Sequence, residues 1–254
     1  MNTPRFHSAQ ALSVGMSVDL CESAARHAVR VLRLREGDAL TLFDGRGGEY
    51  AARISRSGRD AVCVDVLQWR DSECESPVDV TLVQALQAGE KMDFTVQKAV
   101  ELGVGRIVPV AAQRSVVRLE GDRARKRVAH WQAVAVSACE QCGRNRVPQI
   151  DELVSLQQWL RLPVAGMEVL RVTLDPRATQ TFDTMPRTGE DARIELLIGA
   201  EGGLSPEEME LARQAGYRGV RLGPRVLRTE TAGLAALAAI QCLWGDFKGE
   251  ASHV

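Results

Sequence analysis

Ile198-Gly199-Ala200-Glu201-Gly202-Gly203-Leu204, followed by Leu222-Gly223-Pro224-Arg225-Val226-Leu227-Arg228-Thr229-Glu230-Thr231-Ala232, decides the fold of this 254-residue chain. Ile194 to Ile198 is mostly apolar, as a strand buried on both faces should be, and it breaks into glycines where a backbone must bend sharply or approach a ligand closely. A helix start follows. Ser205 at N-cap and Glu208 at N3 can satisfy orphan amides reciprocally, while Pro206 at N1 lacks the amide that would go unpaired. The stretch therefore reads as strand, glycine turn and helix, and the two loops together read as one ligand site.

A glycine turn entering a helix usually suggests a phosphate, because free amides and the helix dipole favour an anion. The charges here argue otherwise. Glu201, Glu207 and Glu208 crowd the turn, no lysine follows the glycines as a P-loop requires, and the spacing misses the dinucleotide fingerprint. The expected ligand is neutral or cationic, such as a sulfonium compound. The alternatives are that the glycines only make a tight turn and that the acids only stabilise the helix.

Outward from this stretch, the second part of the chain alternates strands with helices: Val80 to Ala85, Met92 to Leu102, Ile107 to Val110, Arg123 to Glu140, Glu168 to Leu174, Ile194 to Ile198, Pro206 to Ala215, Gly219 to Leu222 and Glu230 to Leu243. That alternation predicts an α/β domain with a mainly parallel sheet. From Phe6 to Leu67 the pattern is instead short runs broken by turns: Ala39 to Phe43, Glu49 to Ile54 and Ala61 to Leu67, with one helix over Glu22 to Val31. This predicts a small β-barrel. Asp71 to Pro77 is polar, acidic and ends in proline, so the expected domains are 1–72 and 73–254.

The composition bounds the function. With 45% hydrophobic residues the chain can bury one large core or two modest ones. No long uncharged apolar run suggests a membrane span, and Met1 to Gln10 lacks a signal-peptide core, so a soluble cytoplasmic protein is expected. Cys139 and Cys142 form a lone pair at the end of a helical run, with Cys21, Cys63, Cys74 and Cys242 scattered. Neither they nor His7, His27, His130 and His253 give a metal-ligand spacing, and free thiols are expected. Net charge is -1, yet among the 32 basic residues only Lys91, Lys98, Lys126 and Lys248 are lysines. Arginine suits phosphate and base contact, although genomic bias gives the same excess. Two clusters are candidate RNA-backbone patches or solvated faces: Arg26, Arg30, Arg33 and Arg35, and the run from Arg106 to Arg127.

On Ile198 to Gly203 and Leu222 to Ala232 the chain resembles the SPOUT superfamily of S-adenosylmethionine methyltransferases. Within it, the chain resembles the bacterial enzymes that methylate N3 of a uridine in 16S ribosomal RNA. Ala200 stands where the family usually has proline and Val226 where it has isoleucine. Gln84-Ala85-Leu86, Lys98 to Val104, Arg114-Ser115 and Glu140 to Arg144 extend the match over nearly the whole chain. The resemblance implies a PUA-like RNA-binding barrel with His27, Arg30 and Arg33 in its motif, and a C-terminal SPOUT domain with a deep trefoil knot. It also implies a homodimer, with the last helix at or near the subunit boundary, acting on 16S rRNA in the assembled 30S subunit. No metal or membrane partner is expected.

The implied cofactor, S-adenosyl-L-methionine, would meet Leu174, Ile198, Gly199, Glu201, Gly202, Gly203, Leu222, Gly223, Val226, Leu227 and Thr231. Methylating an imide nitrogen requires loss of its proton, so Glu140 or Glu230 is the expected base, with Arg228 among the expected catalytic groups. Arg5, Arg114 and Arg144 join His27, Arg30 and Arg33 as expected RNA contacts. Structural alternatives stay open: Glu230 can cap the last helix, Arg228 can pair with Glu201, and Glu140 can hold Arg144. Other function classes remain as well. They are methylation of another RNA nucleotide, ribosome-assembly binding without chemistry, and, disfavoured by the glycine spacing, a dinucleotide oxidoreductase.

Overall fold

The computed structural model describes residues 3–58, 61–163, 169–185 and 193–247. The expected strand start at Glu168, and Met1, Lys248 and His253, lie outside the described residues. The chain divides into two compact units, one of Met1–Glu75 with Cys139–Val147 and the other of Ser76–Ala138 with Pro148–Val254.

In the first unit, strands β1 (Arg5–His7), β2 (Ser17–Asp19), β3 (Ala39–Phe43), β4 (Glu49–Ser57) and β5 (Val62–Arg70) form a mixed sheet in the order β1-β3-β4-β5-β2. β1 runs parallel to β3 and the other pairs are antiparallel. Alternation sets the inner face: Leu40 and Leu42, Ala52 and Ile54, and Val62, Val64 and Val66 are buried in one core with Phe6 and Val18. No ladder closes β2 onto β1 among the described residues, so the sheet is a half-barrel. The helix expected over Glu22 to Val31 is α-helical only over Glu22–Arg26 (α1) and continues as a π-helical turn over His27–Val31. Its inner side is Ala24, Ala25 and Ala28, small enough to lie close on the core.

Cys139–Val147 groups with this unit through polar bonds that local sequence does not announce. Arg144, 5% exposed, donates to Glu75 at 2.6 and 2.9 Å; Asn145 accepts from Arg5 at 2.6 Å and donates to the Ser72 carbonyl at 2.5 Å. Glu140 accepts the His7 N–H at 3.0 Å.

The second unit is a parallel α/β layer. Its elements are β6 (Val80–Ala85), α2 (Lys91–Glu101), β7 (Arg106–Ala111), α3 (Gly121–Cys142, whose last turn groups with the first unit), β8 (Gln149–Ile150), β9 (Val154–Ser155), α4 (Leu156–Leu160), β10 (Val169–Leu174), β11 (Arg193–Ile198), α5 (Pro206–Gln214), β12 (Arg218–Val220) and α6 (Thr229–Trp244). Strand order is β12-β10-β11-β6-β7-β8, with β9 beside β7 and every pair parallel. The central strands are apolar on both faces, as in Leu82, Val83, Leu196 and Leu197, which a sheet covered on both sides requires. Helix α6 packs on α2 and β11. Because β12, β10, β11 and β6 are parallel neighbours, their carboxyl ends share one edge, where open α/β sheets bind ligands.

Among the described residues no helix is long and apolar enough to cross a membrane, and no group of three His, Cys, Asp or Glu is placed to hold a metal. All six cysteines are free thiols, and burial pushes the Cys139 thiol up to about 12. A thiol so reluctant to ionise is a poor nucleophile.

Candidate active site

The loops following β10, β11 and β12 enclose a cavity of about 470 Å³. Of the residues expected to hold a cofactor, Leu174, Ile198, Gly199, Glu201, Gly203, Leu222, Gly223, Val226 and Leu227 line it. Val226, 80% exposed, forms its outer rim. Gly202 and Thr231 do not line it. Gly202 turns toward the Arg114 side chain, where an added Cβ would stand 3.2 Å from Arg114 Cβ, and Thr231 is exposed on the first turn of α6.

The glycine turn is held by geometry that other residues resist. Gly203 has φ +69° and Gly223 φ +72°, the left-handed region. A Cβ on Gly199 would reach 3.0 Å from both the Gly203 carbonyl carbon and the Leu204 nitrogen, because the turn folds back on itself through the Ala200 and Gly203 bridge. Ser205 and Glu208 make the expected capping box at α5, and Glu208 also accepts the Gln113 N–H at 2.7 Å.

The electrostatics differ from the reading of three acids at one turn. Glu208 is buried in its cap and Glu207 accepts from the Ser205 hydroxyl, so of the three only Glu201 faces the cavity. Asp175 and Glu230 join it, opposed by Lys91, Arg225 and Arg228. Lys91 Nζ stands 3.6 Å from both Glu201 and Glu230, bridging the glycine turn and the first turn of α6 from α2. Burial works against the charge on Glu201, but the Ala88 N–H, its own backbone and Lys91 outweigh it and hold the carboxyl below its ordinary range. Glu230 Oε2 is buried without a hydrogen-bond partner among the described residues. A mixed lining with an unsatisfied acceptor suits a ligand bearing a carboxylate, an ammonium and a sulfonium, as S-adenosylmethionine does.

The remaining expected site residues are dispersed. Arg228 and Glu230 line the cavity; Arg228 is the N-cap of α6 and makes no side-chain cap. The cation beside Glu201 is Lys91 rather than Arg228, and the acid bound to Arg144 is Glu75 rather than Glu140. Glu140 belongs to the first unit and does not line the cavity; burial raises its carboxyl, which the His7 N–H, His27 and Arg5 only partly offset. Arg5 and Arg144 are occupied by internal bonds to Glu49, Asn145 and Glu75, so their guanidinium groups hold the first unit together. Arg114 Nη1 donates to the Gly202 carbonyl at 2.8 Å. His27, Arg30 and Arg33 are exposed around the π-turn, with Arg33 at φ +57°. Sequence reasoning missed Lys91, Asp175 and Thr229. The only available signal for Thr229 was its place inside the second motif.

A parallel α/β unit with a glycine-walled cavity at its strand ends, preceded by a mixed half-barrel sheet, is the arrangement of a two-domain RNA methyltransferase. Family models agree: an RNA methyltransferase domain matches residues 74–241 and an RNA methyltransferase PUA domain residues 20–67. Ribosomal RNA small subunit methyltransferase E of Buchnera aphidicola is 32% identical over 243 residues, covering 96% of this chain and 97% of that protein. The Bacillus subtilis protein of the same name is 34% identical over 222 residues, covering 84% and 85%. A crystal structure of the Neisseria gonorrhoeae protein of that name, bound to S-adenosyl methionine, superposes with a TM-score of 0.91 at 41% identity, over 97% of this chain and 100% of that one. The chain belongs to the ribosomal RNA small subunit methyltransferase E family.

Proposed function

We propose that this protein methylates N3 of a uridine in 16S ribosomal RNA, using S-adenosylmethionine held in the cavity beyond β10, β11 and β12. The observation that carries the proposal is the meeting of both glycine loops with Glu230 and Arg228 in one cavity. Bound there, the cofactor supplies an electrophilic methyl group. Leu174, Gly199, Gly203, Leu222 and Leu227 offer backbone groups and apolar surface to hold it, and the turn geometry at Gly199 keeps side chains out of its way. Glu230, on the cavity lining, accepts the N3 proton of the uracil. Arg228 donates to a uracil carbonyl oxygen as negative charge spreads onto it. His27, Arg30 and Arg33 bind the RNA backbone, and Arg114, anchored on Gly202, marks the side from which RNA approaches.

We further infer a cytoplasmic homodimer acting on the assembled 30S subunit, with a trefoil knot in the second unit. Helix α6 leaves Leu234, Ala235, Ala238, Ala239 and Leu243 only partly covered, which supports a second copy packing there.

The test uses 30S subunits from a strain lacking this protein and S-adenosylmethionine labelled in its methyl group. Nuclease digestion should give label in 3-methyluridine alone, and Glu230→Gln should slow single-turnover transfer by about 100-fold, the range of general-base effects. Label in another nucleoside, or none, overturns the proposal.

A further inference from the structure

Beneath the cavity, four polar side chains from different elements are shut away from water. Gln84 on β6 and Thr95 on α2 are 0% exposed, Gln87 3%, and Thr229 at the start of α6 7%. Interior polar groups are costly unless bonded, and these bond one another and, through Thr229 and Gln87, the backbone of the cavity wall, while Gln84 Oε1 has no partner among the described residues. Thr229 Oγ1 donates to the Gly199 carbonyl at 2.6 Å and accepts from Gln84 Nε2 at 3.2 Å. With the Gln87 amide assigned by its neighbours, the nitrogen donates to Thr95 Oγ1 at 2.9 Å and to the Lys91 carbonyl at 3.1 Å, while the oxygen accepts the Glu230 N–H at 3.3 Å. One side of the cluster thus holds the glycine turn and the other the backbones of Lys91 and Glu230; with its proton on Gly199 the Thr229 hydroxyl does not donate to Gln87, and the two sides meet through the peptide bond between Thr229 and Glu230. Gln84, Gln87 and Thr95 do not line the cavity themselves.

We infer that Gln84, Gln87, Thr95 and Thr229 are positioning residues for methyl transfer, fixing the distance between the turn that bears the donor and the Lys91 and Glu230 backbones on the acceptor side. The inference rests on the proposed function, which puts the donor at the glycine turn and the base at Glu230, whose carboxylate is paired with Lys91. Displacement by an ångström in such a site costs about 100-fold in rate, so a device that sets the spacing has a kinetic consequence. Hydrogen bonds suit the task because each fixes direction as well as distance, whereas apolar side chains slide. The cluster has little slack against α6: Gln84 Oε1 would lie 3.3 Å from a Cβ placed on Gly233, so glycine is the residue that fits without displacement.

Thr95→Val removes a hydroxyl while keeping side-chain shape, at a residue that touches neither donor nor acceptor site. S-adenosylmethionine affinity by calorimetry should stay within about 2-fold, while single-turnover transfer to 30S subunits at saturating cofactor falls about 10-fold. Thr95→Ser should restore most of the rate. A Thr95→Val rate equal to wild type, or a fall only in proportion to weakened cofactor affinity, overturns the inference. Should Thr95→Val not fold by circular dichroism, Gln87→Met is read by the same two criteria. Wild-type protein that transfers no methyl to 30S subunits sinks the proposed function, whereas an active wild type with an equally active variant sinks only the positioning role.

Discussion

Gly203 and Glu140 show how differently two residues of equally legible motifs behave. Gly203 sits at φ +69° on the cavity wall, so a β-branched side chain there is strained even though open space surrounds it. Gly203→Val should leave the circular dichroism spectrum unchanged and weaken S-adenosylmethionine binding at least about 10-fold, since a displaced turn no longer presents its backbone groups to the ligand. Wild-type affinity in calorimetry would remove the turn from the donor site. Glu140 is buried against the His7 N–H with its carboxyl raised above the ordinary value. A group raised in this way contributes its stability in full below the unfolded-state value and loses it as pH rises through the folded-state value. Glu140→Gln keeps the acceptor without the charge, so it should gain stability relative to wild type as pH rises from the ordinary carboxyl range toward neutrality, with methyl transfer unaffected. Urea titrations showing a pH-independent difference would contradict the burial account. The motif around Glu140 was legible, but its partner was not: His7 lies far away in sequence, and no local pattern encodes that meeting.

Among the elements, α5 is the one whose start the sequence spelled out residue by residue. Ser205, Pro206 and Glu208 each satisfy or remove an orphan amide, and Glu208 reaches further to the Gln113 N–H. Ser205→Ala should cost about 1 kcal/mol, the usual worth of an N-cap side chain. Glu208→Ala should cost more, about 2 kcal/mol, because it removes the acceptor of the Gln113 N–H as well as that of the Ser205 N–H. Chemical denaturation measures both, and equal losses would mean that the Gln113 bond adds nothing. Buried strands were equally readable: Ala39–Phe43 and Val80–Ala85 fall where their apolar runs do. The strands Gln149–Ile150 and Val154–Ser155 escaped notice because two residues cannot display a period of two. The π-helical turn over His27–Val31 escaped because α and π windings bury nearly the same side chains over so short a run.

Across the whole molecule the chemistry divides between the two units, and the division makes separable defects. The second unit contains the entire cavity lining, whereas His27, Arg30 and Arg33 lie exposed on the first. A net charge of -1 gives no general attraction to RNA, so affinity must come from local clusters such as this one. Replacing Arg30 and Arg33 with alanine should therefore weaken 30S binding and flatten its salt dependence, by about 0.7 to 0.9 in slope for each phosphate no longer neutralised. Cofactor affinity should not change, because neither residue belongs to the unit that holds the cavity. Filter binding across a salt series, paired with calorimetry, reads both quantities. If the double variant kept the wild-type salt slope, the arginines would be a solvated face, and RNA attraction would have to come from the basic run between Arg106 and Arg127. There Arg106 is paired with Asp151 and Arg125 with Asp122, leaving fewer charges for phosphate. Arg26 of the first cluster is likewise paired with Glu22, so ion pairing does not rank the two patches, and the salt slope is the quantity that decides between them.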